Sequence, residues 1–274
     1  MAYWAAIWKL GLAMHMLCSF HSLLSVCVLA VALAGADLTA EEPVAAQPQL
    51  ILVGGGVTPK AAYAALLAMA GKDPKLVIIP NSPYSDEAIA REQKRWQGQG
   101  FADVQVLTCP DRESADLPHT IAPLQAASAV WIKGGFQQEL SKVFVGTAVE
   151  QELYRLLERG GVIGGSSAGA AIQSRVAVCS EGIITGFDLL PGVIVDQHFL
   201  KRDRTPRLTA AVVAHPDLIG LGIDESTALI VRGDQGTVVG KSSITRIRMH
   251  AGEPRIDTFS AGAVFQLPGK QADK

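Results

Sequence analysis

The chain has 274 residues, 24 basic against 26 acidic side chains, and 49% apolar residues. The even charge balance excludes a nucleic-acid binder, which carries a clear basic excess, and the apolar content suffices for a packed globular core. Four cysteines, two of them in the first 36 residues, make no disulfide framework, and neither their spacing nor nearby histidines suggest zinc.

Residues 1–36 carry a single charged side chain, Lys9, and an apolar stretch from Leu23 to Leu33. Ala34-Gly35-Ala36 then offers small residues at a cleavage position before Asp37, the pattern of a secretory signal peptide. The leading region is long and weakly basic, so Met14 and Met16 are alternative starts, and an uncleaved membrane anchor is the competing interpretation. Export would leave residues 37–49 as a Pro/Ala/Glu-rich lead-in and one α/β domain over residues 50–270, extracellular or periplasmic, with no stable membrane insertion. In that compartment Cys109 and Cys179 could pair.

Gln49 to Val53 reads as a buried strand ending in the turn Gly54-Gly55-Gly56, and a helix follows from Pro59 to about Ala70. That turn lacks the Gly-x-Gly-x-x-Gly spacing and a clear ribose-binding acid, which argues against a dinucleotide site. Leu76–Ile79 is a second buried strand, Asp86 to about Gln99 an amphipathic surface helix, Val104–Leu107 a third strand and Ala129–Ile132 a fourth. Two helical stretches then lead to a strand at Gly161–Gly164. Short continuous apolar strands alternating with helices predict a mostly parallel sheet covered on both faces, a three-layer α/β fold. After Leu218 the short strands Leu229–Val231, Thr237–Val239 and Ile244–Ile247, separated by Gly/Asp/Ser turns, predict an antiparallel C-terminal extension.

The chemistry begins at Gly165-Ser166-Ser167-Ala168-Gly169, which fits the Gly-x-Ser-x-Gly nucleophile elbow between a strand and a helix. Gly165 and Gly169 spare Cβ atoms that would collide with the neighbouring strand and helix, and the new helix aims free N–H groups at whatever Ser167 attacks. A strand-to-helix turn that merely needs glycines is the structural alternative. Serine requires an adjacent base, and His198, in Asp196-Gln197-His198-Phe199 after an apolar strand, has a setting that His119 in a Pro-containing loop, His215 at a helix end and His250 in a late strand do not match. Arg202, Arg204 and Arg207 follow within six positions, suited either to a carboxylate-rich substrate or to a solvated helix face.

Gly134-Gly135-Phe136-Gln137, the elbow, the segment ending Asp196-Gln197-His198-Phe199, the arginine run and Gly222-Ile223-Asp224-Glu225-Ser226-Thr227-Ala228 occur in an order that resembles the cyanophycinases, in the serine peptidase family that also holds dipeptidase E. The resemblance runs from about Leu50 to Val239. It implies a class I glutamine amidotransferase-like fold, Ser167 as nucleophile, His198 as base, and a third, acidic member between them in sequence. Glu181 fits that order best, with Asp188, in the Gly-Phe-Asp-Leu-Leu-Pro-Gly turn, as the alternative; the serine-to-histidine interval is shorter than in the family. The oxyanion donors would be the Ala168 N–H and that of Gly135 or Phe136. Gln137, Asp196, Gln197, Arg202, Arg204 and Arg207 would contact substrate, and Asp224 and Glu225 would either close off the site or simply end a strand. No cofactor and no metal is implied. The implied substrate is cyanophycin, a poly-aspartate with arginine on each side-chain carboxylate, cleaved to β-aspartyl-arginine dipeptides. Alternatives are a family peptidase acting on other aspartyl peptides, a glutamine amidotransferase-like domain, which would need cysteine at the elbow, and a catalytically inactive peptide-binding homologue. Sequence leaves the assembly open, a homodimer included.

Overall fold

The computed structural model describes residues 47–268, so the signal-peptide reading and most of the lead-in lie outside the described residues. Strands β1 (Gln49–Val53), β2 (Lys75–Ile79), β3 (Asp103–Val106), β4 (Ala129–Ile132) and β5 (Val162–Ser166) alternate with helices α1 (Lys60–Met69), α2 (Asp86–Gln97), α3 (Pro118–Ala126), α4 (Gln137–Phe144) and α5 (Ala148–Glu158). These strands pair in parallel in the order β1-β5-β4-β2-β3. The period-2 side-chain alternation of a strand explains why the central strands β1, β2 and β4 are apolar over nearly their whole length, whereas the edge strand β3 alternates with exposed Asp103 and Gln105. In β1, Leu50 and Leu52 face the core that includes Leu140, Phe144 and Leu153 of α4 and α5, while Ile51 and Val53 face the core that includes Leu66 of α1 and Trp96 of α2. Each such side chain contributes roughly 1.5–3 kcal/mol on burial, so both sheet faces demand cover and the helices supply it.

After β5 come the one-turn helix α6 (Ala168–Ala171), the hairpin of β6 (Val176–Cys179) and β7 (Gly182–Thr185), then β8 (Val193–Gln197), α7 (Thr205–Ala214) and β9 (Ile219–Ile223). The remaining strands are β10 (Thr227–Arg232), β11 (Gln235–Gly240), β12 (Ser243–His250), β13 (Glu253–Ser260) and β14 (Val264–Gln266). The C-terminal strands are antiparallel as expected but divide between two sheets. β10, β11 and β14 extend the large sheet beyond β1, whereas β12 and β13 join β9, β8, β6 and β7 in a second, six-stranded sheet that the sequence pattern did not reveal. Val193 and Val195 of β8 and Leu221 and Ile223 of β9 share the core of α4 and α5 on one side. On the other, Ile194 packs with Leu208, Ala211 and Val212 of α7. The Pro-containing loop expected around His119 is instead helix α3; Pro118 sits at its first turn, where no N–H is needed, and Pro123 lies inside it. Cys109 and Cys179 are both buried free thiols, and burial pushes the Cys109 thiol up to about 11.

Candidate active site

β5 ends at Ser166 and α6 starts at Ala168, so Ser167 alone makes the turn between them, at φ 56° and ψ −117°. A non-glycine residue in that region is strained and needs surrounding structure to hold it. Here the Ser167 N–H donates to the Val53 carbonyl at 2.8 Å, and α6 returns N–H bonds from Ala170 and Ala171 to the Ser167 carbonyl at 3.0 Å. The flanking glycines act as expected. A Cβ on Gly165 would come within 2.1 Å of the Gly169 carbonyl oxygen, and one on Gly169 within 2.1 Å of the Ile132 carbonyl oxygen. α6 thus lies directly on β4 and β5, with its first N–H, that of Ala168, left without an intrahelical partner beside the serine.

His198 follows the last residue of β8, in the neighbouring sheet, and takes a left-handed backbone at φ 50°. Its N–H donates to the Gly54 carbonyl at 2.7 Å, which docks the end of β8 onto the glycine turn after β1. That turn lies so close to the imidazole that a Cβ on Gly55 would sit 2.2 Å from His198 Cε1. The ring is thereby fixed edge-on to the serine, with His198 Nε2 2.9 Å from Ser167 Oγ.

The third member is corrected. Glu225 Oε1, not Glu181, lies against His198 Nδ1, at 2.6 Å. Glu225 is carried by the short connection from β9 to β10, which passes from one sheet to the other. Glu181 is an exposed residue of the β6–β7 turn, and Asp188, the alternative, lies beside Glu150 and Tyr154 of α5. The expectation placed the acid before the histidine in sequence; the fold delivers it after. The neighbouring Asp224 tightens the same junction: its Oδ1 accepts from the Leu200 and Lys201 N–H groups and its Oδ2 from the Ser242 hydroxyl. Burial disfavours its charge, but these bonds outweigh that and hold the carboxyl below its ordinary range.

With a proton on Nδ1 facing the Glu225 carboxylate, Nε2 is left as the acceptor for the Ser167 hydroxyl, the tautomer a general base requires. Of the two expected donors on the β4–α4 loop, the Phe136 N–H is already given to Asn81 Oδ1 at 2.9 Å, which leaves Gly135 as the partner for Ala168. Asn81 has no sequence signal of its own.

A cleft of about 380 Å³ opens in front of Ser167, lined by Gly135 to Gln138 on one side, Cys179 and Ser180 on another, and Gln197, Arg202, Arg204 and Arg207 opposite. The structure therefore places the arginine run along the cleft that holds Ser167, with Arg202 exposed and Arg204 and Arg207 half-buried. Asp196, expected to hold either the loop or the substrate, does the former. It is fully buried, its Oδ1 accepts from the Gln197 N–H and from Arg204 and Arg207, and its Oδ2 accepts from Arg207 Nε at 2.7 Å. With both oxygens engaged it has no capacity for substrate and instead anchors two guanidiniums from below. Gln197 is also drawn in: its carbonyl and side-chain oxygens each accept from Arg204 Nη1 at 2.7 Å. Gln137 lines the cleft with its amide nitrogen bonded to the Val178 carbonyl at 3.0 Å. Burial, then the adjacent Arg207 charge, lowers the Arg204 pKa from its ordinary value. A cation under that strain gains from an incoming anion. His119, His215 and His250 lie elsewhere, at the start of α3, the end of α7 and the end of β12.

Residues 50–239 match the model of Peptidase family S51. The chain is 34% identical over 211 residues to the cyanophycinase of Trichormus variabilis, covering 70% of each, and 33% identical over 190 residues to that of Synechococcus elongatus, covering 64% of this chain and 59% of the relative. Among solved structures, a peptidase from an acI-B1 Actinobacterium superposes with a TM-score of 0.65 at 24% identity, over 81% of this chain and 97% of that one, a likeness of fold. A serine elbow, an imidazole and a carboxylate in hydrogen-bonded sequence accord with these matches, and the chain belongs to peptidase family S51.

Proposed function

We propose that this peptidase hydrolyses cyanophycin to β-aspartyl-arginine dipeptides through an acyl-enzyme on Ser167. The observation that carries the reading is the continuous relay Ser167–His198–Glu225 facing a cleft with three guanidiniums. In this mechanism Ser167 Oγ attacks the scissile carbonyl as His198 Nε2 takes its proton, and Glu225 stabilises the resulting imidazolium. The Gly135 and Ala168 N–H groups receive the oxyanion. His198 then returns the proton to the leaving amine, and water repeats the sequence on the ester.

Cyanophycin suits the cleft because each pendant arginine keeps a free α-carboxylate as well as its guanidinium. Arg202, Arg204 and Arg207 bring three positive charges against the single negative charge of Asp196, an excess that favours such carboxylates. The arginines are not equivalent in a test. Arg204 and Arg207 share the buried Asp196, and removing one partner of a buried ion pair costs roughly 3–5 kcal/mol of stability. Arg202 is exposed and serves as the clean probe. Arg202→Ala should lower kcat/KM on cyanophycin about ten- to a hundredfold, the worth of one charge-assisted contact, with an unchanged melting temperature and unchanged hydrolysis of an uncharged chromogenic ester. Arg207→Ala should lower stability as well. Equal loss on both substrates for Arg202→Ala would remove the substrate role. Faster turnover of simple aspartyl dipeptides than of the polymer would redirect the reading to other aspartyl peptides.

The reading extends to export, supported by the apolar run and the Ala34-Gly35-Ala36 site. Protein recovered from periplasm or medium should begin near Asp37 on N-terminal sequencing. A cytoplasmic chain with its original N-terminus would oppose export.

A further inference from the structure

The loop that offers the Gly135 N–H to the oxyanion is a left-handed turn: Gly135 stands at φ +150° between the end of β4 and α4. Such a turn does not fix its own N–H direction. Asn81, in the connection after β2, holds it. The Asn81 side chain accepts from the Phe136 N–H at 2.9 Å and donates to the Phe136 carbonyl at 2.8 Å, closing a two-bond ring on both backbone polar groups of the residue next to Gly135. The fit is close enough that a Cβ on Gly135 would fall 2.1 Å from Asn81 Oδ1. A second hold acts at the other end of the loop, where Lys133 Nζ pairs with Glu92 Oε1 of α2 at 2.8 Å. Both restraints come from one stretch of chain, residues 81 to 92, which supplies no member of the relay.

We propose that Asn81 is a positioning residue for the oxyanion hole. By engaging both backbone hydrogen-bonding groups of Phe136 it takes that N–H out of contention and holds the Gly135 N–H, the other of the two expected donors, toward the point where negative charge develops. The proposal rests on the serine-peptidase reading above. A group that acts only as charge appears should change kcat and leave substrate binding nearly untouched. Misplacing a donor by a fraction of an ångström to an ångström is enough for a large rate loss.

The test measures Asn81→Ala and Asn81→Asp with two reagents, cyanophycin and an uncharged alkyl fluorophosphonate. With the latter, Ser167 Oγ bonds to phosphorus, fluoride leaves, the proton passes to His198, and the phosphoryl oxygen takes the oxyanion position. Asn81→Asp has the same size and keeps the acceptor for the Phe136 N–H, so it guards against a misfolded alanine variant. It loses the donor and sets a carboxylate beside the developing charge. Both variants should lose about ten- to a hundredfold in kcat and in phosphonylation rate, with KM within about threefold of wild type and the melting temperature within a few degrees. Rates within threefold of wild type in either variant overturn the proposal, as does a loss that tracks a raised KM and a fall in melting temperature, which would make Asn81 a structural residue. Wild-type protein that resists the fluorophosphonate overturns the catalytic reading itself, and the proposal with it. Wild-type protein that is phosphonylated but ignores cyanophycin removes only the substrate, and the Asn81 comparison stands.

Discussion

Ser167→Ala and His198→Ala are each expected to lower turnover by at least ~10³-fold, and the double variant should be little worse than either. The 2.9 Å contact between Oγ and Nε2 makes the two side chains one proton-transfer unit, so removing either disables the other. A serine hydroxyl without its base is a weak nucleophile at neutral pH, and an imidazole without the serine has only water to activate. The residual rate would come from the N–H pair and the cleft, which neither substitution touches. Steady-state rates on cyanophycin, with melting temperatures to show that each variant is folded, check this. Near-wild-type turnover in either single variant would refute the assignment. Multiplicative losses in the double variant would mean that the two residues act separately.

The second large effect is expected at Glu225. Glu225→Gln keeps the shape of the side chain but can present an amide N–H to Nδ1, favouring the tautomer that leaves Nε2 protonated and unable to accept from Ser167. The full effect of such a change at a buried acid reaches about 10⁴ in kcat. The Glu225 side chain is 32% exposed, so water can compete for the second tautomer and a loss of about 10²- to 10³-fold is expected. Glu181→Gln should be silent, because that side chain stands in the exposed β6–β7 turn. Measuring both variants side by side decides between them: a silent Glu225→Gln with a damaged Glu181→Gln would restore the order inferred from sequence.

The contrast between these two glutamates shows where sequence reasoning stopped. The parallel strands were legible because burial on both faces leaves uninterrupted apolar runs such as Leu50–Val53 and Ala129–Ile132. The elbow was legible because the close approach of β5, α6 and β4 forces glycine at two fixed offsets from Ser167. Glu225 was hidden for a different reason. Chain order does not encode which carboxylate reaches an imidazole, and Asp224-Glu225 at the end of an apolar strand looked like any charged strand end. The signal that could have found it was the adjacent glycine turn at Gly54–Gly56, whose real task is to press against His198 and, through the Gly55 carbonyl, to hold the Ser226 N–H at 2.9 Å. Asp196 could be read as holding either the loop or the substrate; full burial with both oxygens engaged by the Gln197 N–H, Arg204 and Arg207 leaves the first. The second sheet escaped because two of its strands carry no apolar run: β9 is interrupted by glycines and β13 is polar and mostly exposed, and the pairing of β9 with β12 that joins them to the rest leaves no local pattern.

The β9–β10 connection has a consequence for the order of events during synthesis. It brings Glu225 to the histidine only when the chain crosses from the six-stranded sheet to lie beside β1, with Ala228 opposite Val53 and Arg232 opposite Gln49. A nascent chain that ends before this crossing already contains the serine, the histidine and the arginines, yet lacks the acid and the strand that seats it. Assembly of the relay therefore depends on a long-range antiparallel pairing between the first and the tenth of the described strands.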